Sequence, residues 1–311
     1  MTAARRRQQT APADARSLPV GLVVASHRRH FVVRSAAGET LVCVLRGRGM
    51  TLACGDRVAY SRTDAGGVIE SLSPRTSLFY RSDAFKERLI AANVTQVVGV
   101  VAPDLSLDEE LVNRWIVATE AEGCRFILAA NKADMFGFDV LLERLAPYAA
   151  LGYAVVPLSA RQDAAPLRPW IEGQNSVLVG QSGMGKSTIL NALLPGVGAK
   201  TAEISASLNA GKHTTTHSTL HLLADDVDGG WIVDSPGMKM FGMAHVAADS
   251  LAHAFVEFRP FLGHCRFRDC RHDREPGCAI DAAVAAGAIQ PFRVSLWRRL
   301  VADSNAGRGA R

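Results

Sequence analysis

At 311 residues, 48% hydrophobic and 21% charged, the chain is long enough for two or three domains, each with a core of its own. No apolar run approaches the ~18 residues needed to span a bilayer, which leaves a membrane role without support. The formal charge of +5 fits an anionic partner without demanding one. Arg5, Arg6 and Arg7 precede a polar Ala/Pro-rich stretch rather than an apolar signal core, so residues 1–17 read as a disordered basic arm of a cytoplasmic protein. Three cysteines are scattered and three lie between positions 265 and 278, a clustering that favours a metal site over disulfides.

Residues 18–72 read as five short strands broken by turn residues: 19–25, 31–34, 41–45, 56–61 and 68–72. Five strands of this size predict a small β-barrel of the OB-fold type. Its longest loop, 46–54, carries Arg46, Arg48 and two glycines. Such a loop either approaches a phosphate chain or is a solvated hairpin tip. Residues 73–90 read as a polar connector. Beyond it the pattern changes to buried runs alternating with helical periodicity: 94–101, helix 108–122, 125–130, helix 138–149, 154–158, 176–179, helix 186–194, and strands near 219–223 and 231–233. That alternation predicts a parallel sheet covered by helices on both faces.

The motifs fall at the ends of these predicted strands. Asn131, Lys132 and Asp134 form N-K-x-D after the run 125–130, where α/β sheets bind ligands. A carboxylate there accepts two hydrogen bonds from guanine N1–H and the 2-amino group, which adenine lacks. Ser159 and Ala160, after the strand 154–158, would supply a backbone N–H to guanine O6. The segment Gly180, Gln181, Ser182, Gly183, Met184, Gly185, Lys186, Ser187 matches G-x-x-x-x-G-K-S between a strand and a helix, with Thr188 next in the helix. Its glycines let backbone N–H groups turn around the β-phosphate. Lys186 would reach the β- and γ-phosphates, and Ser187 would ligate the Mg²⁺ that accompanies GTP. Asp234 to Gly237 matches D-x-x-G, with Asp234 holding Mg²⁺ through water and the Gly237 N–H sensing the γ-phosphate. Between these motifs, residues 211–216 read as a switch loop in which Thr214 or Thr215 completes the Mg²⁺ shell.

Guanine-specific elements therefore precede phosphate elements, the reverse of the usual order, and the last switch leads directly into the C-terminal region. There Cys265, Cys270, His272 and Cys278 offer three thiolates and an imidazole within 14 residues. That is the closed tetrahedral set of one structural Zn²⁺. His264 is treated as a bystander. Arg266, Arg268, Arg271 and Arg274 surround the cluster and suit phosphates. Helices near 279–286 and 292–302 close the domain.

Together, the inverted motif order, the Gly-Lys-His-Thr-Thr-Thr loop at 211–216 and the Cys/His cluster resemble the RsgA (YjeQ) family of circularly permuted, small-ribosomal-subunit-dependent GTPases, over residues 18–304. The resemblance implies an OB-fold at 18–72, a linker at 73–90, a permuted P-loop GTPase domain at 91–245 and a mostly helical zinc domain at 246–311. It further implies rRNA contact, for which the arginines already named, Arg46, Arg48, Arg266 and Arg268, are the candidates, and action in late 30S maturation with subunit-stimulated hydrolysis of GTP to GDP. A monomer is expected. Where many GTPases carry a water-orienting glutamine after D-x-x-G, this chain has Met238. His213 in the switch loop is the candidate replacement, the alternative being a solvent-facing loop histidine. Two other readings stand beside this one: a GTP-dependent RNA-binding module with incidental hydrolysis, and a signalling GTPase with protein partners.

Overall fold

The computed structural model describes residues 18–27, 29–47, 49–64, 66–83, 86–103, 106–197, 218–224, 229–234, 241, 246, 248–273 and 275–309. Five strands, β1 (Val20–His27), β2 (His30–Ser35), β3 (Thr40–Leu45), β4 (Arg57–Thr63) and β5 (Gly66–Leu72), close into a barrel. The order β1-β2-β3-β5-β4 returns to β1 through a β1–β4 pairing, and only β3–β5 is parallel. Alternate residues fill the interior, among them Val23, Phe31, Val33, Val58, Tyr60 and Ile69. The barrel expected from strand spacing is present.

The segment expected as a polar connector is instead largely a hairpin, β6 (Leu78–Asp83) paired with β7 (Lys86–Ala92). Its apolar ends, Phe79 and Ile90-Ala91, are buried in the main core, and averaging them with the charged middle hid the period of two. Ahead of the hairpin, Arg75 forks the fully buried carboxylate of Asp56, Nε to Oδ1 at 2.7 Å and Nη2 to Oδ2 at 2.8 Å. A buried charge is tolerated when it is paired this way. Cys54 donates from its thiol to Ser218 O at 3.1 Å, and Gly55 (φ +91°) lies against Trp231. The barrel is thereby bonded to the next domain.

That domain is a six-stranded sheet in the order β10 (Ala154–Pro157), β9 (Arg125–Ala130), β8 (Gln96–Val101), β11 (Asn175–Val179), β13 (Trp231–Asp234), β12 (Thr219–Leu222). The first five are parallel and β12 is antiparallel. The outer edge of β12 pairs with β1 at Ala25↔Thr219, so barrel and domain share one continuous sheet. Every residue of β8 is buried, as the uninterrupted apolar run predicts for a strand covered on both sides. Val97 and Val101 pack on one face with Trp115 and Leu141; Val98 and Val100 pack on the other with Ile189 and Leu190. Helices α1 (Glu109–Ala121) and α2 (Phe138–Ala150) cover the first face, and α3 (Arg168–Ile171) and α4 (Lys186–Leu193) the second. The Asp108 carboxylate caps α1 by accepting from Leu111 N at 3.0 Å.

The C-terminal module consists of α5 (Ala248–His253), a 3₁₀ turn (Val256–Phe261), α6 (Ala279–Ala285) and α7 (Pro291–Gly309). Its core of Leu251, Phe255, Phe258, Ile280 and Trp297 also takes in Val117 of α1. Arg293 of α7 is 2% exposed. Its guanidinium donates to Glu257 and to Asn113 of α1 and lies 4.6 Å over the Phe255 ring. One buried cation thus latches the module to the sheet domain.

Candidate functional site

The phosphate loop joins β11 to α4, and its conformation explains its glycines. Gly183 and Gly185 have φ of +85° and +95°. A Cβ on Gly180 would come within 2.7 Å of Val100 O, and one on Gly185 within 2.2 Å of Asn131 Nδ2. Helix α4 begins without any side-chain cap, so its first amides face the loop with no acceptor from a capping residue. Lys186 donates from Nζ to Gly180 O at 2.6 Å and Gln181 O at 2.8 Å. Burial lowers its pKa, while Asp234 opposes that shift. Asp234 ends β13, beside the loop; burial raises its pKa and Lys186 offsets part of the rise. An ammonium and a carboxylate that influence one another electrostatically beside an uncapped helix start have the chemistry suited to a polyphosphate with its cation. Ser187 is exposed and Thr188 half-buried on the first turn of α4.

The second loop follows β9. Asn131 is 2% exposed and bridges the two loops: Nδ2 donates to Met184 O at 2.9 Å, and Oδ1 accepts from Ala160 N at 2.9 Å. Lys132 adopts φ +64°, which turns the chain between the two polar residues. Ser159 Oγ donates to Asp134 Oδ1, and this bond first, with Arg161 and Lys132 adding to it, holds the exposed carboxyl below its ordinary range. An ionised acceptor is thereby kept ready beside the phosphate loop. The Ala160 amide, expected at guanine O6, donates to Asn131 here. The tether through Met184 O leaves no trace in the sequence, because a backbone carbonyl carries no residue signature.

Gly237, Met238, His213, Thr214, Thr215, Arg48 and Arg274 lie outside the described residues. Arg46 is described, and its guanidinium forks Glu70, which also accepts from Ser61 Oγ at 2.7 Å. Part of its charge is therefore already answered within the barrel.

The Cys/His set assembles as the spacing predicts. One ligand atom from each of Cys265, Cys270, His272 and Cys278 lies within 4.8 Å of the others. The three sulfurs are 3.4, 3.6 and 3.5 Å from His272 Nδ1. An ideal tetrahedron with Zn–S of about 2.3 Å and Zn–N of about 2.0–2.1 Å has an S···N edge of about 3.6 Å. The donor set and its size therefore fit zinc, with Nδ1 as the ligand atom. His272 has φ +55°, Gly277 has φ +78°, and Ala279 N donates to Cys265 Sγ at 3.3 Å. Burial and the neighbouring thiols push the Cys270 thiol up to about 12; a bound cation reverses that preference. His264 is exposed and outside the cluster.

A Walker-type phosphate loop beside a guanine-type loop, placed in inverted order on a parallel sheet, defines a circularly permuted GTPase. Residues 72–244 match the RsgA GTPase family model. The small ribosomal subunit biogenesis GTPase RsgA of Nitrosospira multiformis is 47% identical over 290 residues, covering 93% of this chain and 92% of that one. Its counterpart from Nitrosomonas europaea is 47% identical over 286 residues, covering 90% of each. Among solved structures, YjeQ from Thermotoga maritima aligns with a TM-score of 0.70 at 28% identity, over 92% of this chain and 98% of that one. YloQ, a circularly permuted GTPase, shares the fold with a TM-score of 0.68 at 24% identity, over 97% and 98%. The chain belongs to the RsgA GTPase family, as its motif order led one to expect.

Proposed function

We propose that this GTPase acts in biogenesis of the small ribosomal subunit, docking on the particle through rRNA late in 30S maturation and hydrolysing GTP faster when docked. The observation that carries the reading is the Asn131 bridge between the guanine loop and the phosphate loop, which makes base recognition and phosphate binding one mechanical unit. The names of the relatives, small ribosomal subunit biogenesis GTPases, support the cellular role.

In this reading Asp134 accepts from guanine, Asn131 and Lys132 hold the base loop, and Ser159 keeps Asp134 ionised. The Ala160 amide shares its proton between Asn131 and guanine O6. Backbone amides of 180–185 and Lys186 bind the phosphates, and Ser187, Asp234 and one of Thr214 or Thr215 take Mg²⁺, which when bound with GTP neutralises developing charge. Gly237 reads the γ-phosphate. With Met238 unable to orient water, His213 does so when the protein is docked on the particle. The four ligands 265, 270, 272 and 278 hold one structural zinc. Working boundaries are 1–17, 18–72, 73–90, 91–245 and 246–311, the fourth overlapping the family match at 72–244. No helix among the described residues is long and apolar enough to cross a membrane, and a cytoplasmic monomer is the working form.

The test is the steady-state GTPase rate with and without purified small subunits, for wild type and His213→Ala. Acceleration by subunits that His213→Ala abolishes, with GTP affinity retained, supports the mechanism. Subunit binding without any acceleration would favour the GTP-dependent RNA-binding module instead.

A further inference from the structure

The zinc loop carries an aromatic ring on its outer surface. Phe267, between the ligands Cys265 and Cys270, is 44% exposed. The guanidinium of Arg266 lies 5.4 Å from its centroid, within cation–π range. The Arg266 stem crosses Gly277: a Cβ there would come 2.8 Å from Arg266 Cβ, and Arg266 N donates to Gly277 O at 3.0 Å. The turn before the last zinc ligand is therefore shaped to seat this arginine.

The charges around the ring are unevenly satisfied. Asp273 pairs with Arg298 at 3.4 Å, and Glu275 accepts the amides of Arg271 and Asp273 at 3.0 and 2.6 Å. Asp269 is exposed among the arginines. Arg266, Arg268 and Arg271 are exposed and form no ion pair among the described residues. Arg268 and Arg271 also line a cavity of about 690 Å³ with His253 and Trp297.

We propose that this face binds single-stranded RNA, one unpaired base stacking on Phe267 and the adjoining phosphates lying over Arg268 and Arg271 at the cavity mouth. The inference rests on the rRNA-docking reading and names which form of RNA the zinc module takes. A base within a duplex is already stacked on both faces, whereas a splayed base can stack on an aromatic ring or a guanidinium plane. Stacking of this kind tolerates any base.

The test uses the full-length zinc-loaded protein and a fluorescein-labelled ten-nucleotide RNA of mixed sequence, single-stranded or annealed to its complement, with a 2-aminopurine version to report stacking. The wild type prefers the single strand and changes 2-aminopurine emission. Phe267→Ala weakens single-strand binding by about tenfold or more and loses the emission change, whereas Phe267→Trp retains both. Replacing Arg268 and Arg271 by Ala together lowers the slope of log affinity against log salt by about 1.4. Zinc content equal to wild type in each variant excludes loss of the fold. Failure of the wild type to bind the oligonucleotide, equal binding of duplex, or wild-type behaviour of Phe267→Ala overturns the proposal. Cosedimentation with small subunits separates the two levels: if the wild type does not cosediment, the docking reading fails, and if Phe267→Ala cosediments as tightly as wild type, only the stacking inference fails.

Discussion

Replacing Asn131 by Ala removes a bridge as well as a ligand contact. The side chain is 2% exposed and makes two bonds of 2.9 Å, to Met184 O and from Ala160 N. Truncation leaves both backbone groups without that partner. Each such group costs about 1–3 kcal/mol, so a loss of roughly 2–6 kcal/mol in the nucleotide-free protein is expected. In a domain of this size, where each kcal/mol shifts Tm by about 2–4 °C, that corresponds to a fall of at least about 4 °C. Asp134→Asn is the contrasting variant, since Asp134 is exposed and its one bond to another loop, accepted from Ser159 Oγ, can be kept by the amide oxygen of Asn. It should leave the nucleotide-free Tm within about 1 °C while lowering affinity for GDP and raising it for xanthosine diphosphate, because an amide donor now faces C2 of the base. Differential scanning fluorimetry without nucleotide and titration with fluorescent GDP measure the two effects. An unchanged Tm for Asn131→Ala would refute the bridge and make the residue a base ligand only.

Other expectations follow from the buried latch, the thiols and the carboxylate. Arg293→Ala leaves Glu257 as a buried carboxylate without its cation, and should destabilise the protein by about 3–5 kcal/mol in urea unfolding. An additional Glu257→Gln change should recover part of this, and no recovery would count against the latch. Burial holds Cys54 at about 12 and Cys124 at about 11, so neither should react with a thiol reagent at pH 8 in the folded protein. A strong zinc chelator should instead expose Cys265, Cys270 and Cys278, read by thiol titration alongside zinc release. The depressed pKa of Asp134 places its contribution above the ordinary carboxylate range, and it is lost as pH falls through the lower folded value. In Ser159→Ala that value rises, so affinity for fluorescent GDP should decline at a higher pH than in wild type when titrated from pH 7 towards 4.

The strand runs of the barrel and the parallel sheet were legible because burial on one or both faces writes a period of two or an unbroken apolar run into the residues themselves. The hairpin at 78–92 was not, since its buried ends are short and enclose a charged middle. The Cys/His cluster was legible through spacing alone: four donors within 14 residues can meet without any help from the rest of the fold. The Arg293–Glu257–Asn113 latch was not legible, as its members lie up to 180 residues apart and a buried ion pair looks like surface charge in sequence.

By itself, then, the sequence determined the chemistry and its order: a guanine loop ahead of a phosphate loop, and a thiolate–imidazole set behind both. Local rules sufficed, because phosphate cradles and metal turns are built from neighbouring residues whose identities are dictated by backbone angles and donor atoms. Only the tertiary structure decided how these parts are coupled. It joined Asn131 to Met184 O across 53 residues, bonded the barrel to β12 through Cys54 and Ala25, and seated Arg293 against α1. Those contacts run through backbone groups and buried partners distant in the chain, which chain folding brings together and residue order does not record.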